Sequence, residues 1–163
     1  MAYQRLQVSE GLAVIPSDTV PIPDPATEVI SGTADFSVAG TLTDVGTTFL
    51  SAGIQTNAIV YNVTAGIAYY VTAVTDDLNL ALSPSSAGAA ADEYVIYNAA
   101  TKACTLYVGG GGPGALIVQM ASQRDAALTD KITFQNVPTS SFLPILVTRV
   151  FAATTSTNII ALW

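Results

Sequence analysis

The chain has 163 residues, half of them hydrophobic; five are Lys or Arg, twelve are Asp or Glu, and none is histidine. The length suits one domain or two small ones. Without imidazole there is no Ser-His-Asp or Cys-His catalytic site, no histidine metal ligand and no side chain whose ordinary pKa lies near neutrality. A charged fraction of 10%, against about 25% for an ordinary soluble domain, leaves few groups to solvate an isolated monomer, so much of the surface is expected to lie against other chains.

Charge is unevenly placed: residues 1–100 carry a net −9 and residues 101–163 a net +2. No basic cluster offers itself to phosphates, which excludes nucleic acid as an expected partner. Polar Thr, Asn or Asp interrupts every apolar run well short of the roughly 18 residues of a membrane helix, so no membrane is expected. The start, MAYQRLQVSE, has one Arg, and the apolar run from Leu12 to Ile15 is too short for a signal-peptide core. The lone Cys104 has no internal partner; an apolar flank raises a thiol pKa, so an inert core residue is expected.

In chain order, the stretch from Val14 to Pro25, VIPSDTVPIPDP, comes first, with four prolines. Proline removes a ladder donor and biases its predecessor to extended backbone, which predicts an extended arm lying on a neighbour's surface or an ordered loop. Short β runs separated by turn signals follow: Phe36 to Leu42, Ala58 to Val63, Ala68 to Val74, Asn79 to Leu82 and Glu93 to Tyr97. One helical turn at most is expected between Asp44 and Ala52. Spacing near ten residues with abundant Thr, Val and Tyr predicts an antiparallel meander or small barrel. The last third repeats the pattern, with strands from Cys104 to Val108, Ala115 to Met120, Lys131 to Gln135, Leu143 to Ala152 and Asn158 to Trp163. No stretch has a sustained 3.6-residue period, so the fold is expected to be all β. The division expected is an N-terminal arm with a first strand over 1–33, a meander or barrel over 34–98 and a C-terminal β region over 99–163.

Several motifs imitate chemistry. Gly109 to Gly114, GGGGPG, fits G-x-G-x-x-G, but the apolar ALIVQM that follows is too short to be the helix whose N–H groups would meet a pyrophosphate. A flexible hairpin connection is expected, and no cofactor. The pairs Asp76-Asp77 and Asp92-Glu93 lack the spacing of a calcium loop and are expected in solvent at turns or strand ends, with no metal. No two carboxylates are singled out as an acid and base, so no catalytic residues are assigned. Tyr61, Tyr69, Tyr70, Tyr94 and Tyr97 could form a sugar-stacking platform, although cross-strand packing is the commoner use of strand aromatics.

The strings VIPSDTVPIP, GTLTDVGTTFLSAGIQTNAIVYNVTAGIAYYVTAV, CTLYVGGGG and ITFQNVPTSSFLPILVTRVFAATTSTNIIALW together resemble tailed-phage virion proteins of the spike-base, head-fibre and capsid-decoration type. The most specific part is TFQNVP leading to LPILVTRVFA and a closing ALW. The resemblance implies a β-sandwich or jelly-roll core, into which the small meander or barrel is inserted behind the Pro-rich arm. It also implies synthesis in the cytoplasm of an infected bacterium, a place on the capsid surface of the virion, and assembly as a symmetric homo-oligomer, commonly a trimer, with no enzyme activity. The expected partners are further copies of the chain and the major capsid protein or other virion proteins. The alternative is a tail-fibre, baseplate or head-spike adhesin touching the host surface, where a glycan could bind. Relatives often continue the Leu-Tyr-Val-Gly strand into a Gly-Asp or Gly-Asn turn, so the glycine run here implies a locally altered loop. Interface residues are expected along the arm (Val14, Ile15, Pro16, Pro21, Ile22, Pro23, Pro25) and the C-terminal strands (Phe142, Phe151, Trp163). A large aromatic at the chain's end serves either as a plug or as an anchor.

Overall fold

The computed structural model describes residues 8–98, 102–123 and 130–163. Its strands in chain order are β1 (Gly11–Ala13), β2 (Glu28–Ala34), β3 (Thr41–Thr43), β4 (Ile59–Asn62), β5 (Ile67–Val74), β6 (Asn79–Ser83), β7 (Asp92–Tyr97), β8 (Cys104–Gly110), β9 (Gly114–Met120), β10 (Ile132–Val137), β11 (Ser141–Val150) and β12 (Thr157–Leu162), with one 3-10 turn at Pro25–Thr27. The protein is all β, and every strand pairing is antiparallel. Two compact units divide the chain: the described residues up to Val14 together with Ala103–Trp163, and the segment Ile15–Lys102 inserted between them. Residues 15–33 thus belong to the inserted unit, where the seven-residue β2 begins at Glu28 and ends at Ala34.

The inserted unit is one six-stranded sheet in the order β2-β7-β4-β5-β6-β3. It curls until its outer strands touch: Asp35 N–H donates to Thr43 O at 2.8 Å, and Thr43 N–H returns a bond to Asp35 O at 2.9 Å. Inside lie Phe36, Phe49, Tyr69 and Tyr94 with Leu42, Val60, Val71, Leu80 and Ile96. The rings pack edge to face or offset, with Phe36 and Tyr69 stacked at 5.9 Å and Phe49 meeting Tyr94 at 6.4 Å. Each fully buried ring or aliphatic side chain contributes roughly 1.5–3 kcal/mol of burial, so this apolar interior is what holds so lightly charged a unit together.

Most expected strands fall within a residue or two of the observed ones, and the stretch before β3 differs most. Phe36 to Leu42 is mostly a connection, of which only Thr41 and Leu42 join β3, while β2 fills the preceding stretch. The ladder to β7 holds Ser31-Gly32-Thr33 extended, and a Cβ on Gly32 would touch the Tyr94 ring at 3.4 Å. The helical turn after Asp44 is present, closed by Ala52 N–H on Thr48 O at 2.8 Å. From Val14 to Asp24 the chain runs without a helix or a regular strand, and Asp24 caps the 3-10 turn by accepting from Ala26 N–H.

The first unit is a six-stranded sheet ordered β1-β12-β8-β11-β9-β10. Its buried face follows a strict two-residue period, with Cys104, Leu106 and Val108 on β8, Leu116 and Val118 on β9, and Ile159 and Ala161 on β12. β11 changes partners at Val147, pairing with β8 before it and β9 after it. β8 and β9 are therefore not a hairpin, since β11 lies between them, and the glycine run joining them is not a loose loop. Its backbone passes so close to two other connections that side chains would collide: a Cβ on Gly112 would lie 2.6 Å from Thr139 N, and one on Gly111 2.8 Å from Thr155 O. Backbone proximity accounts for these glycines.

Candidate functional site

In an antiparallel pair, residues directly opposite one another share a face. In the first unit Phe142 lies opposite Tyr107, Tyr107 opposite Ile160, and Ile160 opposite Ala13. One continuous row thus crosses β11, β8, β12 and β1, spanning about 14 Å at the usual strand spacing. It points away from the core, which takes the adjacent row of Leu106 and Ala161. Phe142 is 42% exposed and Ile160 36%; Ala13 is exposed and Tyr107 half-buried. The flanking row, Thr105, Leu162 and Gly11, is also uncharged. Leu146, 55% exposed on β11, adds to the apolar surface of the unit. An uncharged row of this kind, with an aromatic at one end, has the composition of the centre of a protein contact.

The other expected interface residues are placed differently. Pro21, Ile22 and Pro23 are buried within the chain, Val14, Ile15 and Pro25 are half-buried, and only Pro16 is well exposed. Phe151 is buried, its ring 4.4 Å from Lys131 Nζ and 5.8 Å from Arg149 Cζ, so its face holds cations and is closed to a partner. Trp163 is half-buried at the end of the ladder: its N–H donates to Glu10 O at 3.1 Å and its carbonyl accepts from Ser9 N–H at 2.7 Å. Sequence reasoning found Phe142 but not Ile160, Tyr107 or Ala13. The available signal was the apolar doublets Phe142-Leu143 and Ile159-Ile160, because strand alternation forces one member of each outward.

The tyrosines form no platform. Tyr61, Tyr69, Tyr94 and Tyr97 are 0–3% exposed, leaving Tyr70 half-buried. Burial, then the charge of Glu28, pushes the Tyr97 hydroxyl up to about 12. Burial also pushes the Cys104 thiol up to about 12, where no reactive thiolate forms near neutrality. Asp92 is not in solvent: it is 4% exposed, and its Oδ2 accepts from Asn62 Nδ2 at 2.8 Å and Ala89 N–H at 2.9 Å. Asp76 does sit at a turn, its carboxylate held below the ordinary value by the Leu78 N–H and the Asn79 side chain. Among the described residues no group of three His, Cys, Asp or Glu gathers as a metal site, and no helix is long and apolar enough to cross a membrane.

No protein-family model matches the chain, and no curated protein or solved structure shows significant similarity to it.

Proposed function

We propose that the protein is a non-enzymatic structural component of a phage virion that decorates or cements the capsid as a symmetric homo-oligomer, a trimer by preference. The observation that carries the assembly part is the uncharged row Ala13, Ile160, Tyr107 and Phe142, whose apolar surface a lone monomer leaves in water. A second copy is the partner this reading assigns to the row, and the shell protein takes other surfaces. The virion assignment itself is carried by the sequence resemblance. The alternative, an adhesin of the tail or head spike, would need an exposed aromatic face for a glycan, and the buried Tyr69 does not supply one.

Removing Asn158 to Trp163 is a poor test, because it deletes most of β12, an interior strand of the sheet. The exposed substitution Phe142→Lys places a charge on the row without touching the core. Sedimentation velocity of this variant is expected to give a monomer where the parent chain gives an oligomer, with unchanged thermal stability, and the variant is expected to be missing from purified particles. A monomeric parent chain, or an oligomer indifferent to Phe142→Lys, contradicts the proposal.

A further inference from the structure

The closure of the inserted sheet is partial, and the open part of its seam has the features of a strand-binding edge. Asp35 spends its N–H and C=O on Thr43. Backbone groups alternate direction along a strand, so Thr33 and Ser31, two and four residues earlier, point theirs to the same side. Gly32 and Ala34 point to β7, opposite Tyr94 and Asp92. β3 ends at Thr43, and the chain then turns away as Asp44 N–H bonds Leu78 O and Gly46 N–H bonds the Asp44 carboxylate. The N–H and C=O groups of Ser31 and Thr33 consequently meet no backbone partner among the described residues.

Two open grooves flank this stretch and share Thr33. One, about 340 Å³, is lined by Ser31, Val63 and Glu93; the other, about 270 Å³, by Asp35, Asp44 and Val45. Val45 is 84% exposed beside the seam, which gives a side chain of an added strand apolar ground. Around the grooves stand three carboxylates, and the whole inserted unit holds nine acids against one cation, Lys102.

We propose that β2 from Ser31 to Thr33 receives an extended, lysine- or arginine-bearing segment of a partner protein as an added strand. Main-chain bonds to Ser31 and Thr33 supply the affinity, Val45 and the groove beside it seat its side chains, and Asp35 and Asp44 at the seam, with Glu93 across β2, select positive charge. A second copy of this edge is disfavoured because it would set carboxylates against carboxylates. The inference stands apart from the assembly reading, which concerns a face of the other unit.

The test uses the full chain, labelled with nitrogen-15, and two short peptides, one alternating valine and lysine and the other valine and glutamate. The lysine peptide is expected to slow amide exchange at Ser31 and Thr33 in a salt-sensitive way, and the glutamate peptide to leave it unchanged. Glu93→Lys, at an exposed position, is expected to weaken the lysine peptide roughly three- to tenfold. Thr33→Pro removes one free donor while sparing the bonds to β7, and is expected to abolish binding while Gly32 and Ala34 stay protected. Should that variant fail to fold, Glu93→Lys still decides. No slowing by either peptide, equal slowing by both, binding indifferent to either substitution, or slowing that follows protein concentration without peptide would each overturn the proposal.

Discussion

Two buried tyrosines of the inserted unit show how the same side chain acquires opposite roles. Tyr94 donates its hydroxyl to Asp44 Oδ2 at 2.7 Å beside the seam, and burial, then that bond and the carboxylate's charge, raise its pKa. Tyr69 is wholly buried, its pKa raised by burial and then by Asp92, and its hydroxyl has no hydrogen-bond partner among the described residues. Tyr94→Phe is therefore expected to destabilise by about 1–2 kcal/mol, the worth of a bond to a charged acceptor at a partly wetted site. Tyr69→Phe removes a buried polar group without breaking a bond, and is expected to raise stability by up to about 1 kcal/mol. Urea denaturation of the two variants checks the opposite signs; equal losses would contradict the assignment. Local strand runs reveal that both rings belong to strands, yet what each hydroxyl meets is set by residues far away in sequence.

Among the elements, the connection from β8 to β9 illustrates the limit of local motifs. As a string, GGGGPG promises mobility or a phosphate cradle. As structure, it is pressed against the β10–β11 turn and the β11–β12 loop, where Thr139, Thr155 and Ser156 crowd Gly112, Gly111 and Gly114. Gly112→Ala is expected to cost about 2 kcal/mol through forced backbone movement, lowering Tm by roughly 4–8 °C. Gly53, with φ +74° and open space around it, tests the contrast: Gly53→Ala meets only the left-handed backbone penalty of about 1 kcal/mol. Calorimetry showing equal effects would deny the crowding. The strands of the C-terminal third were legible because two-residue alternation is a local property. β2 was legible only as an unplaced first strand within residues 1–33, because the β7 ladder and not a local alternation fixes its bounds. The seam was hidden for the same reason, since it depends on where β3 stops beside β2.

For the whole molecule, continuity of chain separates the two units. Ile15–Lys102 is one uninterrupted segment with its own interior of rings and aliphatics. Expressed alone, it is expected to give β-type circular dichroism, a near-ultraviolet tyrosine signal and a cooperative melt; a coil spectrum would show that its core does not suffice. The other unit needs both ends of the chain, because Gly11 pairs with Leu162, and closing so long a loop is slow. The sequence by itself determined the all-β class, the missing imidazole chemistry, the uneven charge and most strands, since each follows from composition or a local period. Tertiary structure alone decided that Ile160, Tyr107 and Phe142 line up on one face, that Phe151 and Ile22 are covered, and that the inserted sheet is only partly closed. Those outcomes depend on register and on which distant strands become neighbours, and the free energy that selects them comes from burial summed over the whole chain.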